Sequence, residues 1–243
     1  MQIHENIEII GLSLYLKDSG TLVFSDLHIG YEGEMHKKGF LVPKVQFTKI
    51  MQHLEMIFGV MEKNKWHVNT IIMNGDVKHG FGKISEQEWR EILRLTDFLL
   101  TKCKDIIVVE GNHDPVLKPV AAKRDVKLVK EHQINDVLIL HGDEEPDLDV
   151  YEVRPNILIM GHEHPALLLT EGAKRERYKC FMKGEYDGAT LLCLPSFNPL
   201  TQGTDMLREK TLSPLLDRDL GRFEAWIVAD KTYYFGKLSE LDQ

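Results

Sequence analysis

Side chains that can bind metal ions recur along the first two thirds of the sequence, beside glycines or at the ends of apolar runs. These sets are Asp26-Leu27-His28, Gly75-Asp76, Gly111-Asn112-His113-Asp114, His141-Gly142-Asp143 and Gly161-His162-Glu163-His164. Carboxylate, carbonyl and imidazole donors together suit Mn, Fe or Zn, whereas thiolates would favour a structural zinc site. A bridging carboxylate can hold two divalent cations about 3.5–4 Å apart. Asp76 follows an apolar run that lies between those of the other donors and is the natural bridge, so the sequence predicts a site for two cations.

Short apolar runs precede the donor sets and predict the strands that position them. The runs are Thr21–Ser25, Thr70–Met73, Asp105–Val109, Val137–Leu140 and Ile157–Met160. Their continuous apolar character is typical of strands buried on both faces. Ligands of open α/β sheets bind outside the carboxyl ends of the strands, so five strand ends should face one crevice.

Two helical patterns separate the first three runs. One follows Pro43, which fits a first-turn position, and repeats apolar residues from Phe47 to Met61 at helical spacing. The other opens at Ser85 with Glu88 three residues later, as in a capping box. Strands alternating with helices predict a parallel α/β arrangement.

The last third of the sequence has a different pattern. The segments Ala189–Leu194, Glu224–Ala229 and Thr232–Leu238 predict strands, with a turn at 229–231, and 195–221 predicts a long loop. No repeat or linker divides the chain, so residues 1–243 are expected to form a single domain.

Composition limits the classes of function. Apolar residues make up 43% of the 243 residues, enough for a substantial core. The N-terminus lacks a secretory pattern and no apolar run reaches about 20 residues, so a soluble, cytoplasmic protein without membrane contact is expected. Cys103, Cys180 and Cys193 have no paired spacing and predict reduced thiols.

The net charge of −8 disfavours non-specific binding of nucleic acid unless a local basic patch provides the positive charge. One dense basic stretch is present, and its residues are Lys174, Arg175, Arg177, Lys179 and Lys183. This stretch is either a solvated hairpin or that patch.

The ordered set DxH, GD, GNH, H and GHxH, which spans residues 26–164, resembles the calcineurin-like metallophosphoesterase superfamily. Within it, the chain looks most like the small archaeal SbcD/Mre11-related phosphoesterases and the ligase-associated DNA-damage-response endonucleases. The segments behind that narrower resemblance are SDLHIGYE, GFLVP, NGDVKH, HGDEEP, GHEHP and LPSF.

The resemblance implies an α/β fold of two packed mixed β-sheets flanked by helices, a four-layer sandwich. It also implies the metal ligands, which are Asp26, His28 and His164 for the first ion, Asn112, His141 and His162 for the second, and Asp76 for both. His113 would lie beside the scissile ester, and Asp114 would orient His113. The expected cofactors are two divalent ions, Mn first, with Fe, Zn or Ni as alternatives.

Two such cations lower the pKa of a shared water, so that hydroxide can attack a phosphate ester near neutral pH. They also neutralise charge that develops on the phosphate oxygens. The leaving alkoxide then needs a proton, and His113 is the candidate acid, because its ordinary pKa of about 6.5 suits that task. His79, three residues after Asp76, either lines the pocket or is a plain loop residue.

The stretch GDVKHGFG lacks the arginine found after the bridging Asp in protein phosphatases of this superfamily, which disfavours phosphoprotein substrates. The chain is also too short for the DNA-capping domain of Mre11 and SbcD proteins. Phosphodiesters, those of DNA or RNA first, are the expected substrates. The alternatives are a small-molecule phosphomonoesterase or cyclic-nucleotide phosphodiesterase, and a non-catalytic scaffold, which would predict gaps in the ligand set.

Overall fold

The structure, a computed structural model, describes residues 1–114, 117–172 and 174–241. Its first sheet has seven strands within those ranges, ordered as they occur in the chain. They are β1 (Gln2–His4), β2 (Ile7–Ile10), β3 (Ser13–Leu16), β4 (Thr21–Ser25), β5 (Thr70–Asn74), β6 (Asp105–Val109) and β7 (Lys127–Val129). Strands β1 to β4 pair antiparallel, and β4 to β7 pair parallel, so the sheet is mixed.

Helices cover the outer face of this sheet. They are α2 (Gln46–Lys63), α3 (Glu86–Leu100) and the short α4 (Lys118–Ala121), and helix α1 (Tyr31–Lys37) precedes α2. The buried stripes of α2 and α3, with Leu54 and Leu95 at their centres, pack in one cluster with Phe24 and Ile71 of the sheet. Helix α3 begins after Ser85 with the predicted capping box.

Helix α2 begins later than the sequence pattern predicts. Its first residue is Gln46, three positions after Pro43, so the assignment of Pro43 to the first turn is wrong. The carboxylate of Glu32, on α1, accepts hydrogen bonds from the amides of Val45 at 2.9 Å and Gln46 at 3.1 Å. Because these amides have no partner inside the helix, a side chain from a different helix fixes where α2 starts.

The second sheet contains the remaining described strands. They are β8 (Glu131–Ile134), β9 (Val137–Leu140), β10 (Ile157–Met160), β11 (Pro165–Glu171), β12 (Lys174–Tyr186), β13 (Ala189–Cys193), β14 (Thr204–Asp205), β15 (Glu224–Val228) and β16 (Thr232–Lys237). The order is β14-β11-β12-β13-β10-β9-β8, and β15 joins β12 to β16. Strands β9, β10 and β13 are parallel and the other pairs except β11–β14 are antiparallel.

The two sheets pack face to face around a shared apolar layer. Val23 and Ile72 of the first sheet belong to the same buried cluster as Ile139, Ile159 and Leu192 of the second. Alternate residues of the same strands point to the opposite faces and pack there. Burial on both faces is the physical reason why these strands read as continuous apolar runs.

The outer face of the second sheet is covered mainly by a segment without long helices. Met206, Leu215 and Phe223, with Leu238 of the short helix α5 (Leu238–Leu241), pack on this face. The segment 195–221, predicted as a long loop, contains β14 and a single 3-10 turn at Pro214–Leu216.

All eight predicted strands are present, the last three as β13, β15 and β16, each of which ends one residue earlier than predicted. The predicted fold of two packed mixed sheets flanked by helices is confirmed. The strands divide between the sheets, however: β4, β5 and β6 belong to the first, and β9 and β10 to the second. No helix in the described ranges is long and apolar enough to cross a membrane.

Candidate metal centre

The predicted ligands lie at the carboxyl ends of central strands from both sheets. Asp26 and His28 follow β4, Asp76 follows β5, and Asn112 follows β6 in the first sheet. In the second sheet, His141 directly follows β9, whereas His162 and His164 follow β10. The strand ends of the two sheets therefore meet at one edge of the sandwich, and the structure brings all seven side chains together.

One group of donors contains Asp26, His28 and His164, whose ligand atoms all lie within 4.8 Å of one another. Nε2 of His164 lies 3.2 Å from Oδ1 of Asp26 and 3.2 Å from Nε2 of His28. Donors around a cation at about 2.0–2.2 Å are separated by roughly 3–3.5 Å. These distances therefore fit a single ion held by the three side chains.

A second group contains Asp76, His141 and His162. Nδ1 of His162 lies 3.2 Å from Nε2 of His141, and the same His141 nitrogen lies 3.3 Å from Oδ1 of Asn112. An amide oxygen and two imidazole nitrogens converge at the same point. The donor set suits a borderline divalent cation.

Asp76 lies between the two groups. Its Oδ2 lies 3.6 Å from Nε2 of His28, and its Oδ1 lies 3.5 Å from Nε2 of His141. Each carboxylate oxygen thus faces a ligand of a different group. This is the arrangement that a bridging carboxylate requires.

The backbone is strained at five of the seven ligand positions. Positive φ angles occur at Asp26 (58°), His28 (45°), Asp76 (49°), His162 (64°) and His164 (54°). Such conformations are uncommon outside glycine, although Asp and His tolerate them better than most residues, and each costs of the order of 1–3 kcal/mol. Strain concentrated on the donors indicates a site whose geometry the surrounding fold maintains for function.

Glycines leave room for the donors. A Cβ on Gly161 would lie 1.8 Å from Oγ of Ser25 and 2.6 Å from Oδ2 of Asp26. Strands β4 and β10, which belong to different sheets, therefore approach each other here only because residue 161 has no side chain.

Mutual electrostatics set the ionisation of the donors. Burial, then the charge of His164, lowers the pKa of His28 to about 3, so its imidazole is neutral at pH 7. Burial alone would raise the pKa of Asp76, but its hydrogen bond and charge interaction with His141 lower it. Neutral imidazole and ionised carboxylate are the states that bind metal ions, so His28 and Asp76 are in the binding state at pH 7. Burial opposes a charge on His141, but its hydrogen bond to Asp76 and the charges of Asp26 and Asp76 raise its pKa to about 9, so a metal ion would have to displace its proton.

His113 lies beside both donor groups. Its Nε2 is 3.9 Å from Oδ2 of Asp76, and its backbone amide donates to Oδ1 of Asp76 at 2.9 Å. Its Nδ1 lies 2.5 Å from the carbonyl oxygen of His79, which fixes the orientation of the ring. With Nδ1 engaged, Nε2 faces the metal centre.

The role expected for Asp114 needs correction. Its carboxylate accepts hydrogen bonds at 3.2 Å from the amides of Val77, Lys78 and Gly111, not from the imidazole of His113. Burial, and then the charge of Asp76, raises the pKa of Asp114 to about 7. Asp114 therefore joins the loops after β5 and β6, and acts on His113 only through the backbone.

Two aromatic side chains beside His113 complete the site. The imidazole of His79, a sequence candidate, stacks on that of His113 with ring centres 5.5 Å apart, and its Nδ1 lies 3.3 Å from Nδ1 of His28. Sequence analysis missed Phe81. Its ring is 73% exposed, yet its centre lies 3.8 Å from that of His113. An aromatic residue in the loop after GDVKH is the only sequence signal that pointed to it.

The LPSF stretch also has a structural role. Oγ of Ser196 donates to the carbonyl oxygen of Asp26 at 2.8 Å, and the amide of Phe197 donates to the carbonyl oxygen of Ser25 at 2.8 Å. The ring of Phe197 packs against Phe24 with centres 5.0 Å apart. The stretch therefore supports the backbone that carries the first ligands.

A sequence profile of calcineurin-like phosphoesterases matches residues 21–184. No curated protein sequence matches the chain significantly. Among solved structures, nuclease MPE of Pseudomonas putida is similar, with a TM-score of 0.63 and 17% identity over 95% of this chain and 100% of that one. Vps29 of Entamoeba histolytica is 18% identical, covers 89% of this chain and 99% of that one, and has a TM-score of 0.35.

The likeness to nuclease MPE is one of fold, and the TM-score of Vps29 is too low to add to it. The profile spans more than half of the chain and contains all five donor sets. Among its described residues, the structure has three groups able to hold a metal ion, namely the two described above and a third that contains His28, His79 and His113. The chain therefore belongs to the calcineurin-like phosphoesterase family.

Proposed function

We propose that this protein is a phosphodiesterase dependent on two metal ions, Mn first, and that its substrates are nucleic acids. The observation that carries the proposal is the position of His113, whose Nε2 lies 3.9 Å from the Asp76 carboxylate shared by both donor groups. A proton donor at this place serves the oxygen that leaves when a phosphate ester is cleaved.

Two cations in this centre would activate water and neutralise charge on the phosphate. The chain's own residues do the rest. Asp76 connects the two donor groups, because one of its carboxylate oxygens faces each of them. The carbonyl oxygen of His79 accepts a hydrogen bond from Nδ1–H of His113, so in the imidazolium form the second proton, on Nε2, would pass to the leaving oxygen and the neutral ring would remain. The stacked His79 ring limits rotation of that imidazole.

Diester specificity is supported by what the leaving group requires. A diester carries a single negative charge and leaves an alkoxide that needs protonation, which gives His113 its task. A dianionic monoester benefits from an extra cationic grip, and the core motifs contain no arginine like that of the protein phosphatases. The alternative is a small-molecule phosphomonoesterase or a cyclic-nucleotide phosphodiesterase.

The exposed ring of Phe81 supports a nucleic-acid substrate. It packs directly on His113, so a base attached to the leaving nucleotide can stack there. Stacking of bases on aromatic side chains is a common mode of single-strand recognition. The fold shared with nuclease MPE of Pseudomonas putida is in keeping with this proposal.

The basic stretch at residues 174–183 supports a nucleic-acid substrate less than its composition suggests. It forms part of strand β12, where Arg177 pairs with Glu209 at 2.7 Å and Lys174 with Glu176 at 2.8 Å. Nζ of Lys183 donates to the carbonyl oxygen of Ile3 at 3.1 Å. The stretch is a hairpin strand with several of its charges engaged, and it is not a free patch.

The test compares kcat/KM of the Mn-loaded protein for bis-p-nitrophenyl phosphate and p-nitrophenyl phosphate, and then cleavage of a labelled single-stranded oligonucleotide. We expect the diester to be preferred and the oligonucleotide to be cut. The protein after verified chelation should be inactive in both assays and recover with Mn. A clear preference for the monoester, without cleavage of DNA or RNA, would establish the phosphomonoesterase instead.

A further inference from the structure

A cavity of about 670 Å³ lies apart from the metal ligands, between helix α2, strand β12 and two turns. One turn joins β2 to β3, and the other joins β15 to β16. The charged and imidazole side chains that line the cavity are Lys49, His53, Arg177, Lys179, Asp230 and Lys231. None of the proposed metal ligands contributes to its wall.

The charge of this lining is opposite to that of the whole chain. Four of the lining side chains are Lys or Arg and a single one is a carboxylate, whereas the chain carries a net charge of −8. That carboxylate, on Asp230, already accepts a hydrogen bond from the hydroxyl of Tyr233 at 2.8 Å. Burial, then the positive charges of Lys179 and Lys49, lowers the pKa of His53. The cavity is therefore a local region of positive potential that attracts anions.

Lys179 is the lining cation whose ammonium is held in place by the backbone. Its ammonium donates to the carbonyl oxygens of Ser196, at 2.6 Å, and Asn198, and has no carboxylate within ion-pair distance in the described ranges. Burial lowers the pKa of this ammonium to about 7. The charge of Asp26 offsets only part of this effect of burial, and an anion in the cavity would stabilise the charged ammonium further. Arg177, by contrast, is already paired with Glu209 and shapes the wall.

The cavity is connected to the metal centre by one loop. The two carbonyl groups that hold Lys179 belong to Ser196 and Asn198. Oγ of Ser196 donates to the carbonyl oxygen of Asp26 at 2.8 Å, and the amide of Asn198 donates to the same oxygen at 3.2 Å. An anion in the cavity would thus lie behind the loop that supports the first metal ligand.

We propose that this cavity binds a phosphate group other than the one that is cleaved, with Lys179, Lys49 and Lys231 as its cationic partners. Two sources share this chemistry: the backbone of the nucleic-acid substrate, which rests on the proposed function, and free phosphate, which does not. Phosphate is the anion that lysine ammonium groups commonly meet as point charges.

The test uses the full chain after removal of metal, so that phosphate cannot bind at the catalytic ions. The variant Lys49→Ala/Lys231→Ala removes two exposed cations from the rim, and Lys63→Ala/Lys104→Ala is a control with the same change of charge outside the cavity. Inorganic phosphate is titrated calorimetrically into each protein. Binding of a labelled single-stranded DNA is measured by anisotropy at several salt concentrations.

If the phosphate belongs to the substrate backbone, the cavity variant should bind DNA at least tenfold more weakly than wild type and control. The slope of log K against log salt should fall by about 0.7 for each phosphate group that the variant no longer neutralises. If the ligand is free phosphate, the cavity variant should show at least tenfold weaker affinity for inorganic phosphate. Equal binding of both ligands by all three proteins, or no binding of either ligand by wild type, overturns the proposal.

Cleavage of the oligonucleotide by the Mn-loaded proteins separates this inference from the proposed function. Wild type that cleaves DNA, together with a cavity variant that binds inorganic phosphate and DNA and cleaves DNA as well as wild type, leaves the function intact and refutes the cavity site. Wild type that cleaves no diester, but binds inorganic phosphate through Lys49 and Lys231, refutes the function and supports the site.

Discussion

At the scale of the residue, His113 and the metal ligands differ in what they contact, although they are neighbours in space. Asn112 meets a ligand nitrogen of His141 at 3.3 Å. The side chain of the next residue, His113, instead meets the carbonyl oxygen of His79 and the ring of Phe81. Consecutive residues of one strand end therefore have different contacts, in keeping with the proposed roles of metal ligand for Asn112 and proton donor for His113.

The variant His113→Ala should keep two metal ions per chain and lose turnover of an alkyl diester by about 10²–10⁴-fold, as expected for a lost general acid. The loss should shrink with a nitrophenolate leaving group, which needs little protonation. Metal content by mass spectrometry and kcat for the two substrates are the measurements. Loss of metal from the variant would make His113 a ligand and contradict the proposed role.

The exposed ring of Phe81 predicts a dependence on the base of the leaving nucleotide. Phe81→Ala should lower kcat/KM for a single-stranded oligonucleotide by about 5–150-fold, corresponding to ~1–3 kcal/mol of stacking. An oligonucleotide that is abasic on the leaving side should be cut equally by wild type and variant. Phe81→Tyr preserves an aromatic face and is the matched control. A loss of equal size on the abasic substrate would mean that Phe81 positions His113 and does not bind a base.

At the scale of the element, the metal centre depends on how closely strand ends from different sheets approach. The loop after β10 reaches the ligand Asp26 after β4, since the amide of His162 donates to Oδ2 of Asp26 at 3.1 Å. Side chains also join the sheets, because Nδ2 of Asn74 donates to the carbonyl oxygen of Leu140 at 2.8 Å. The positions of the donors are thus set by the distance between two sheets.

Gly161→Ala should disturb this approach, because the new Cβ meets Ser25 and Asp26 below contact distance. We expect a loss of about 1–3 kcal/mol in the free energy of unfolding, as for other overpacked sites, together with weaker metal binding. Gly59→Ala is the matched control, since Gly59 lies in helix α2 with no atom within 4 Å of the new Cβ. It should stabilise the protein by about 0.5–1 kcal/mol. Urea unfolding in chelator measures the free energy of unfolding, and metal titration measures the metal affinity. If Gly161→Ala changed neither quantity, the close packing would be refuted.

At the scale of the whole molecule, the proposed metal ions connect the two sheets. Asp26, Asp76 and Asn112 come from strands of the first sheet, and His141, His162 and His164 from strands of the second. Ions bound by both sets would favour the assembled sandwich over the unfolded chain. Metal content and global stability should therefore change together.

Adding Mn to the chelated protein should raise the unfolding temperature, with a stabilisation of about 2.7 kcal/mol at 100 times the dissociation constant. Asp76→Asn should remove most of this gain because it weakens both donor groups. Asp143→Asn, which changes a carboxylate beside the ligand His141 that is not itself a proposed ligand, is the control. We also expect one cooperative transition in calorimetry, in keeping with residues 1–243 as a single domain. Two separate transitions, or an equal rise of the unfolding temperature with Mn in Asp76→Asn, would contradict this account.

The sequence by itself identified the candidate metal-binding residues and the strands that they follow. The donor residues are adjacent to runs such as Val137–Leu140, which appear as strand β9 with the same bounds. Such runs can be recognised in the sequence because a strand buried on both faces needs apolar residues at successive positions. The capping box at Ser85 is readable for a similar reason, since its bonds join residues three apart.

Tertiary structure alone decided the features that join distant parts of the chain. Glu32 sets the start of α2 from a different helix, and Phe81 meets His113 across two loops. The basic stretch, for which the sequence left open a solvated hairpin or a nucleic-acid patch, lies in the hairpin β11–β12, where Lys179 contacts the carbonyl group of Ser196. These contacts depend on how the chain packs in three dimensions. Local sequence patterns do not determine the distances between residues that are far apart in the chain.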